Sequence, residues 1–155
     1  MSAERDAEPL GAAAIVAFVR AHRDGTVSTL GPDGAPQAAY LPFAATDAGD
    51  LVFDARVDSR KIANLVRDPR VAIVVGGADG ASLQAEGTAV VTSGADRAAA
   101  AAAYALSFPE FADSLARDDI AVVRIRLDWA RLGDYRTDPP RIAETRGMRA
   151  EPRTG

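Results

Sequence analysis

The chain has 155 residues with a net charge of −4, 48% hydrophobic and 26% charged residues, no cysteine and a single histidine. That length fits one domain with a real core, and the acidic balance argues against a general nucleic-acid binder, whose affinity rests on neutralising phosphates. Without cysteine there is no disulfide, thiolate metal site or thiol nucleophile, and a lone imidazole, His22, argues against a multi-histidine metal cluster or a Ser-His-acid triad. The longest apolar run, GAAAIVAFV, is too short to span a bilayer. It follows the charged MSAERDAEP without a cleavage-like pattern, so a cytoplasmic protein with no membrane partner is expected.

Residues 1–9 are polar and read as a flexible N-terminus. Over residues 10–22, Ile15, Phe18, Val19 and His22 recur at helical spacing, and Asp24-Gly25 ends the helix. TVSTL reads as a strand and GPDGAP as a turn. QAAYLPFAAT is a second strand in which Pro42 marks an edge or a bulge, and LVFDA is a third. Residues 59–68 form a helix closed by Asp68-Pro69. RVAIVVGG is apolar on both faces, which predicts a central strand covered on both sides.

SLQAEGTAVVT is a fifth strand, with Gly87 marking a bulge or a close approach. Ser93 then caps a helix, with Asp96 three residues on as in a capping box, and Tyr104, Ala105 and Phe108 form its inward stripe up to Pro109. IAVVRIRLDWARLGDY is the last strand, with Val123, Ile125, Leu127 and Trp129 on one register, so Trp129 reads as core or dimer interface. Glu86 reads as a solvated or paired strand-edge carboxylate, and Arg124 and Arg126 as cations meeting Asp128 and solvent. Residues 138–155 show no long periodic pattern and read as a partly ordered C-terminal tail, leaving 10–137 as the folded domain.

Six strands with helices inserted between hairpins do not make a βαβ series, and the short loops favour antiparallel pairing. The expected fold is α+β: a mostly antiparallel six-stranded barrel or half-open sheet with peripheral helices. No dinucleotide or Walker loop is present.

Lys61 is the sole lysine among 18 Lys and Arg residues, and it follows Ser59-Arg60 at the start of a helix. Ile62, Leu65 and Val66 share one face of that helix, which leaves Arg60, Lys61 and Asn64 elsewhere. With Ser59 as N-cap, two cations stand in the first turn, where the helix dipole disfavours them by a fraction of a kcal/mol each. An anion held there by free backbone N–H groups, the Ser59 hydroxyl and both side chains would reverse that penalty. The alternative is a solvated pair balanced by Asp54 or Asp58.

The run LVFDARVDSRKIANLVRDPRVAIVV, with GPDGAPQAAYLPFA before it and LQAEGTAVV after it, resembles the pyridoxamine 5′-phosphate oxidase-like family of FMN-binding split β-barrels. YALSFPEF and VVRIRLDWARLGDY resemble the later part of its small single-domain members. The resemblance implies a split β-barrel homodimer with flavin mononucleotide at the interface, acting as a flavin-dependent oxidoreductase on a small molecule. Arg60 and Lys61 would hold the FMN phosphate, assisted by Ser59. Asp54, Ala55, Tyr40, Leu41 and Pro42 would offer backbone groups to the ring, and Gln84 would face the cofactor or solvent. No catalytic side chain is implied. The tail does not match the substrate segment of true pyridoxamine phosphate oxidases, so a different substrate is expected. The broader group also includes deazaflavin and haem binders. A deazaflavin is the alternative cofactor, its more anionic tail needing cations beyond Arg60 and Lys61; haem would need His22 as its axial ligand. A non-enzymatic flavin-binding module is the rival class.

Overall fold

The structure is a computed structural model that describes residues 7–146. In chain order it runs β1 (Glu8–Pro9), α1 (Ala12–His22), β2 (Asp24–Leu30), β3 (Pro36–Pro42), β4 (Ala44–Ala45), β5 (Leu51–Arg56), α2 (Arg60–Arg67) and β6 (Arg70–Gly76). It continues with β7 (Ala81–Val91), α3 (Gly94–Ser107), two short 3-10 turns, β8 (Ile120–Asp134) and β9 (Arg141–Arg146). The fold is α+β, as expected, with the strands in one mostly antiparallel sheet. Its 9 strands exceed the expected six by β1, β9 and β4, the last split from β3 at Phe43. The flexible N-terminus and the tail lie outside the described residues at 1–6 and 147–155; within them, Glu8–Pro9 pairs in parallel with β9, and β9 pairs with β8. No helix among the described residues is long and apolar enough to cross a membrane.

The ladder order is β1-β9-β8-β7-β6-β2-β3, and β5 joins separately, pairing with β8 on one edge and with β4 on the other. Strand β8 pairs with β7 along most of its length and divides its second edge: Ile120 to Ile125 serve β5, and Trp129 to Asp134 serve β9. The sheet curls without closing, because no ladder joins β3 to β5. Helix α2 follows β5 and packs against β2 and β7.

Two apolar clusters hold this arrangement. The larger lies inside the curl, where α1 sets Ile15 and Val19 against Val27, Phe43, Phe53, Leu83 and Ile125. Phe43 and Phe53 meet edge to face at 6.0 Å between centroids, and each fully buried side chain of this size contributes about 1.5–3 kcal/mol. The smaller cluster packs Ala100, Tyr104 and Phe108 of the α3 region on Ala44, Val52 and Val122, the opposite face of β5 and β8. The strand covered on both faces is therefore β5, whose Leu51, Val52 and Phe53 are all buried. This corrects the expectation for β6, where burial alternates and Val74 remains 43% exposed, because no helix among the described residues covers that side.

The register of β8 is corrected as well. A bulge between Glu86 and Gly87 of β7 leaves Asp128 as an extra residue on β8, so the inward series Val123, Ile125, Leu127 resumes at Ala130. Trp129 is thereby turned to the outer face, where its Nε1 donates to Glu144 Oε1 at 2.6 Å. The expected capping box on α3 is absent too. Ser93 makes no side-chain cap bond, and Asp96 instead accepts from Arg124 at 3.1 and 3.0 Å.

Gly87 is required by contact. A Cβ there would run into the carbonyl oxygen of Arg126 and lie 2.9 Å from Ile125 Cγ2. Gly87→Ala should therefore destabilise the protein by about 1–3 kcal/mol, as overpacking at a rigid backbone contact does. Thermal and denaturant unfolding would measure it, and an unchanged midpoint would contradict the assigned register.

Candidate functional site

Helix α2 begins at a turn that leaves several donors unused. Ser59 N–H donates to the Arg56 carbonyl at 3.0 Å, and Ser59 takes an extended conformation at the N-cap position (φ −75°, ψ 154°). Its hydroxyl does not cap the helix, and Ser59 Oγ is buried with no hydrogen-bond partner. The first intrahelical bond comes from Ala63 N–H to the Ser59 carbonyl, so the N–H groups of Arg60, Lys61 and Ile62 have no intrahelical acceptor.

Asp54 and Asp58, the acids close to Arg60 and Lys61 in sequence, are committed elsewhere. Asp58 accepts from Arg56 at 3.1 and 3.2 Å, and that guanidinium holds its carboxyl below the usual carboxylate range. Asp54 faces Tyr104 on the α3 side; burial first, then this carboxylate, push the Tyr104 hydroxyl well above its ordinary value. Arg70, Arg117 and Arg136 are likewise closed off by an aspartate two residues away. Arg60 and Lys61 form no ion pair or side-chain hydrogen bond among the described residues.

Both cations line a cavity of about 210 Å³, completed by Val27 and Thr29 of β2 and Gln37, Ala38 and Ala39 of β3. Beneath it lies Asn64, only 2% exposed, whose Nδ2 donates to Thr29 Oγ1 and to Gln37 Oε1 at 2.9 Å each. Asn64 takes the place on the inner face of α2 that the helical spacing assigns to Val66, which is instead 77% exposed. The reason is the hairpin beneath: β2 and β3 present hydroxyl and amide groups there, and an amide satisfies them where a valine would leave them unpaired.

Of the residues singled out in the sequence, Arg60 and Lys61 come together at the cavity, with Ser59 adjoining them. Tyr40 is 73% exposed on the outer sheet face, whereas Leu41 and Ala55 point into the core and Pro42 is half-buried. Phe53 to Arg56 of β5 have no strand on their second edge among the described residues, and the Arg56 carbonyl is taken by Ser59 N–H. Gln84 faces outward on β7 and lines a separate shallow cavity with Thr26, Val74, Glu86 and Trp129. Sequence reasoning missed Thr29, Gln37 and Asn64. The available signal was Asn64 itself, one turn after Arg60, in a helix with few other polar residues free to face inward.

The cluster is rich in donors: two unpaired cations, free N–H groups and a buried, unpartnered hydroxyl. Such a set fits a compact acceptor-rich anion, and a phosphomonoester is the chemical match. His22 offers no comparable site. Its Nδ1 is 3.0 Å from the Phe18 carbonyl oxygen, its Nε2 is 3.0 Å from Asp79 Oδ2, and its ring stacks on Phe18 at 3.8 Å. No group of three or more metal-ligating side chains exists among the described residues.

The family model described as pyridoxamine 5′-phosphate oxidase matches residues 12–133. No curated protein matches the sequence. Among solved structures, a heme binding protein from Mycobacterium smegmatis aligns at 25% identity and TM-score 0.73, over 89% of this chain; the chain spans 59% of that protein's length. A conserved hypothetical protein from Mycobacterium tuberculosis aligns at 26% identity and TM-score 0.67, covering 88% of this chain and 86% of the other. A pyridoxamine 5′-phosphate oxidase-related, FMN binding protein from Nostoc punctiforme shares the fold at 15% identity and TM-score 0.60, over 83% of this chain and 84% of the other.

Removing a serine from an N-cap ordinarily costs about 0.5–2 kcal/mol. Ser59 makes no cap bond, so Ser59→Ala in ligand-free protein should leave stability within about 0.5 kcal/mol of wild type. Chemical denaturation would check this, and a loss above about 1 kcal/mol would mean that the hydroxyl caps α2 after all.

Proposed function

This chain belongs to the pyridoxamine 5′-phosphate oxidase family, and from that premise we propose that it binds flavin mononucleotide and acts as a flavin-dependent oxidoreductase on a small molecule. The observation that carries the reading is the start of α2, where Arg60 and Lys61 stand unpaired beside the buried, unpartnered Ser59 Oγ. Arg60 can grip a phosphate bidentately, Lys61 adds a compact point charge, and the free N–H groups complete the cradle. The flavin, when bound, supplies hydride and electron transfer; the chain contributes binding, orientation and electrostatics. That division suits a protein with no thiol and one imidazole.

Haem is the competing cofactor, since the structural neighbours include a heme binding protein and a heme storage protein. Haem iron takes an axial ligand, and both nitrogens of His22 are already engaged within this chain. The flavin reading needs no such rearrangement.

The cofactor site in this reading lies at the interface of a homodimer. The outer face of β3 and β6 carries Ala38, Tyr40, Ala72 and Val74, all exposed and mostly apolar, and β3 ends the ladder order with one edge unpaired among the described residues. A two-fold contact there would cover that face and bring the partner to the open side of the sheet.

The purified protein should show a flavin spectrum and hold about one FMN per chain, as a resident cofactor does. A haem or deazaflavin spectrum, or failure to take up added FMN, would overturn the assignment. Lys61→Ala should weaken FMN by about 10- to 150-fold, the worth of one charge-assisted contact, and leave riboflavin almost unchanged. Equal losses for both ligands would instead assign Lys61 to the fold. Light scattering over a dilution series should report a dimer, and a monomer with undiminished FMN affinity would rule out a shared site.

A further inference from the structure

Glu86 is an unmet charge on the outer face of the sheet. It is exposed on β7, directly across the ladder from Trp129, and makes no hydrogen bond or ion pair among the described residues. Two cavities of about 500 and 210 Å³ meet at this carboxylate, with Ser28, Ala72 and Glu86 lining both. The larger reaches along the bulge to Thr88 and Asp128, and the smaller ends against Trp129. That indole is fixed by its bond to Glu144, which also accepts from Arg131 at 3.1 Å. The chain leaves β9 beside this groove. Arg146, the last described residue, pairs with Trp129, and β9 could extend along β8 only past Asp128, Leu127 and Arg126 before meeting Leu51 of β5, which already pairs with Ile125. The inner side is closed as well, since Leu127 and Ala130 are buried in the core. A continuing chain has the outer face or solvent ahead of it. Residues 147–155 read GMRAEPRTG, with Arg149 and Arg153 against one acid, Glu151. From β9 to β7 is two strand spacings, about 9.5 Å, and the three residues from Arg146 to Arg149 span up to about 10 Å.

We propose that residues 147–155 of the same chain cross Trp129 and dock in this groove, with Arg149 paired to Glu86. Charge selects the groove, because an unpaired carboxylate between two cavities attracts a guanidinium, and Arg149 is the first cation that the exit from β9 brings within reach. The indole acts in the same direction, since its face attracts a cation as well. One exposed ion pair holds weakly by itself. The apolar part of the lining, Val71, Ala72 and Val74, gives a docked segment further area to cover. Docking there would shield Trp129, close the β7 side of the outer face and leave the β3 side to a second copy. The inference stands on the register of β8, the groove and the charges around it, and is independent of the flavin reading.

The chain has one tryptophan and no cysteine, so two measurements can read this site alone. In the first, acrylamide, an uncharged quencher, is titrated against Trp129 fluorescence in full-length chains carrying Glu86→Arg, Arg149→Glu or both. Each single reversal should raise the quenching constant by about 1.5- to 5-fold, the shift that loss of one exposed ion pair produces, and the double reversal should return it to the wild-type value. Single reversals without effect, or a double reversal worse than either, would overturn the pairing. In the second, Glu86→Cys and Arg149→Cys are combined in the full-length chain and treated with a short bismaleimide. Peptide mass spectrometry should show a bridge within one chain, formed faster than in a control that joins Arg149→Cys to Asp118→Cys, an exposed position at the opposite end of β8. A bridge between two chains would assign the groove to a second copy, and a yield equal to the control's would leave residues 147–155 in solvent. Either result overturns the proposal.

Discussion

Strand β8 carries more of the fold than its length alone suggests. Its 15 residues pair with β7 on one edge and must serve both β5 and β9 on the other. A straight ladder would keep one face inward throughout. The bulge opposite Gly87 breaks that constraint by turning the second half of β8, so Leu127 and Ala130, three residues apart, both point into the core. The β5 half is thus covered by α3 on its outer side, while the β9 half carries Trp129, Arg131 and Glu144 on its own outer side. No ladder joins β3 to β5, and α2 follows β5 after the turn at residues 57–59.

Charge is distributed with the same economy. Arg56, Arg70, Arg117 and Arg136 are each neutralised locally by an aspartate two residues away, which removes them from longer-range chemistry. These exposed pairs contribute little to stability. Their larger effect is to leave the field at α2 to Arg60 and Lys61, since Asp58, the nearest acid in sequence, is already paired with Arg56. Cations in the first turn oppose the helix dipole. The opposition is reconciled if the site is completed by an anion, and the buried hydroxyl of Ser59 is a second unmet demand at the same place.

The order and type of the main elements, and the cationic start of α2, were legible in the sequence, because both depend on neighbours within one or two turns of chain. Ser59, Arg60 and Lys61 announce themselves by residue type and position, and the surrounding motif is enough to mark the family. What tertiary structure decided was which faces are covered and which distant groups meet. Whether β5 or β6 is buried on both sides depends on where α3 lands, and no local period encodes that. Trp129 lost its expected face because a period of two counts residues and a bulge resets the count. Asn64 displaced Val66 from the inner face of α2 because the surface opposite is polar, and that surface comes from Thr29 and Gln37, far away along the chain. The sequence by itself therefore determined where positive charge would stand and which family of sheets would carry it. Only the folded chain decided which uncharged side chains share its cavity, since hydrogen bonds between distant strands and helices leave no periodic trace in either segment.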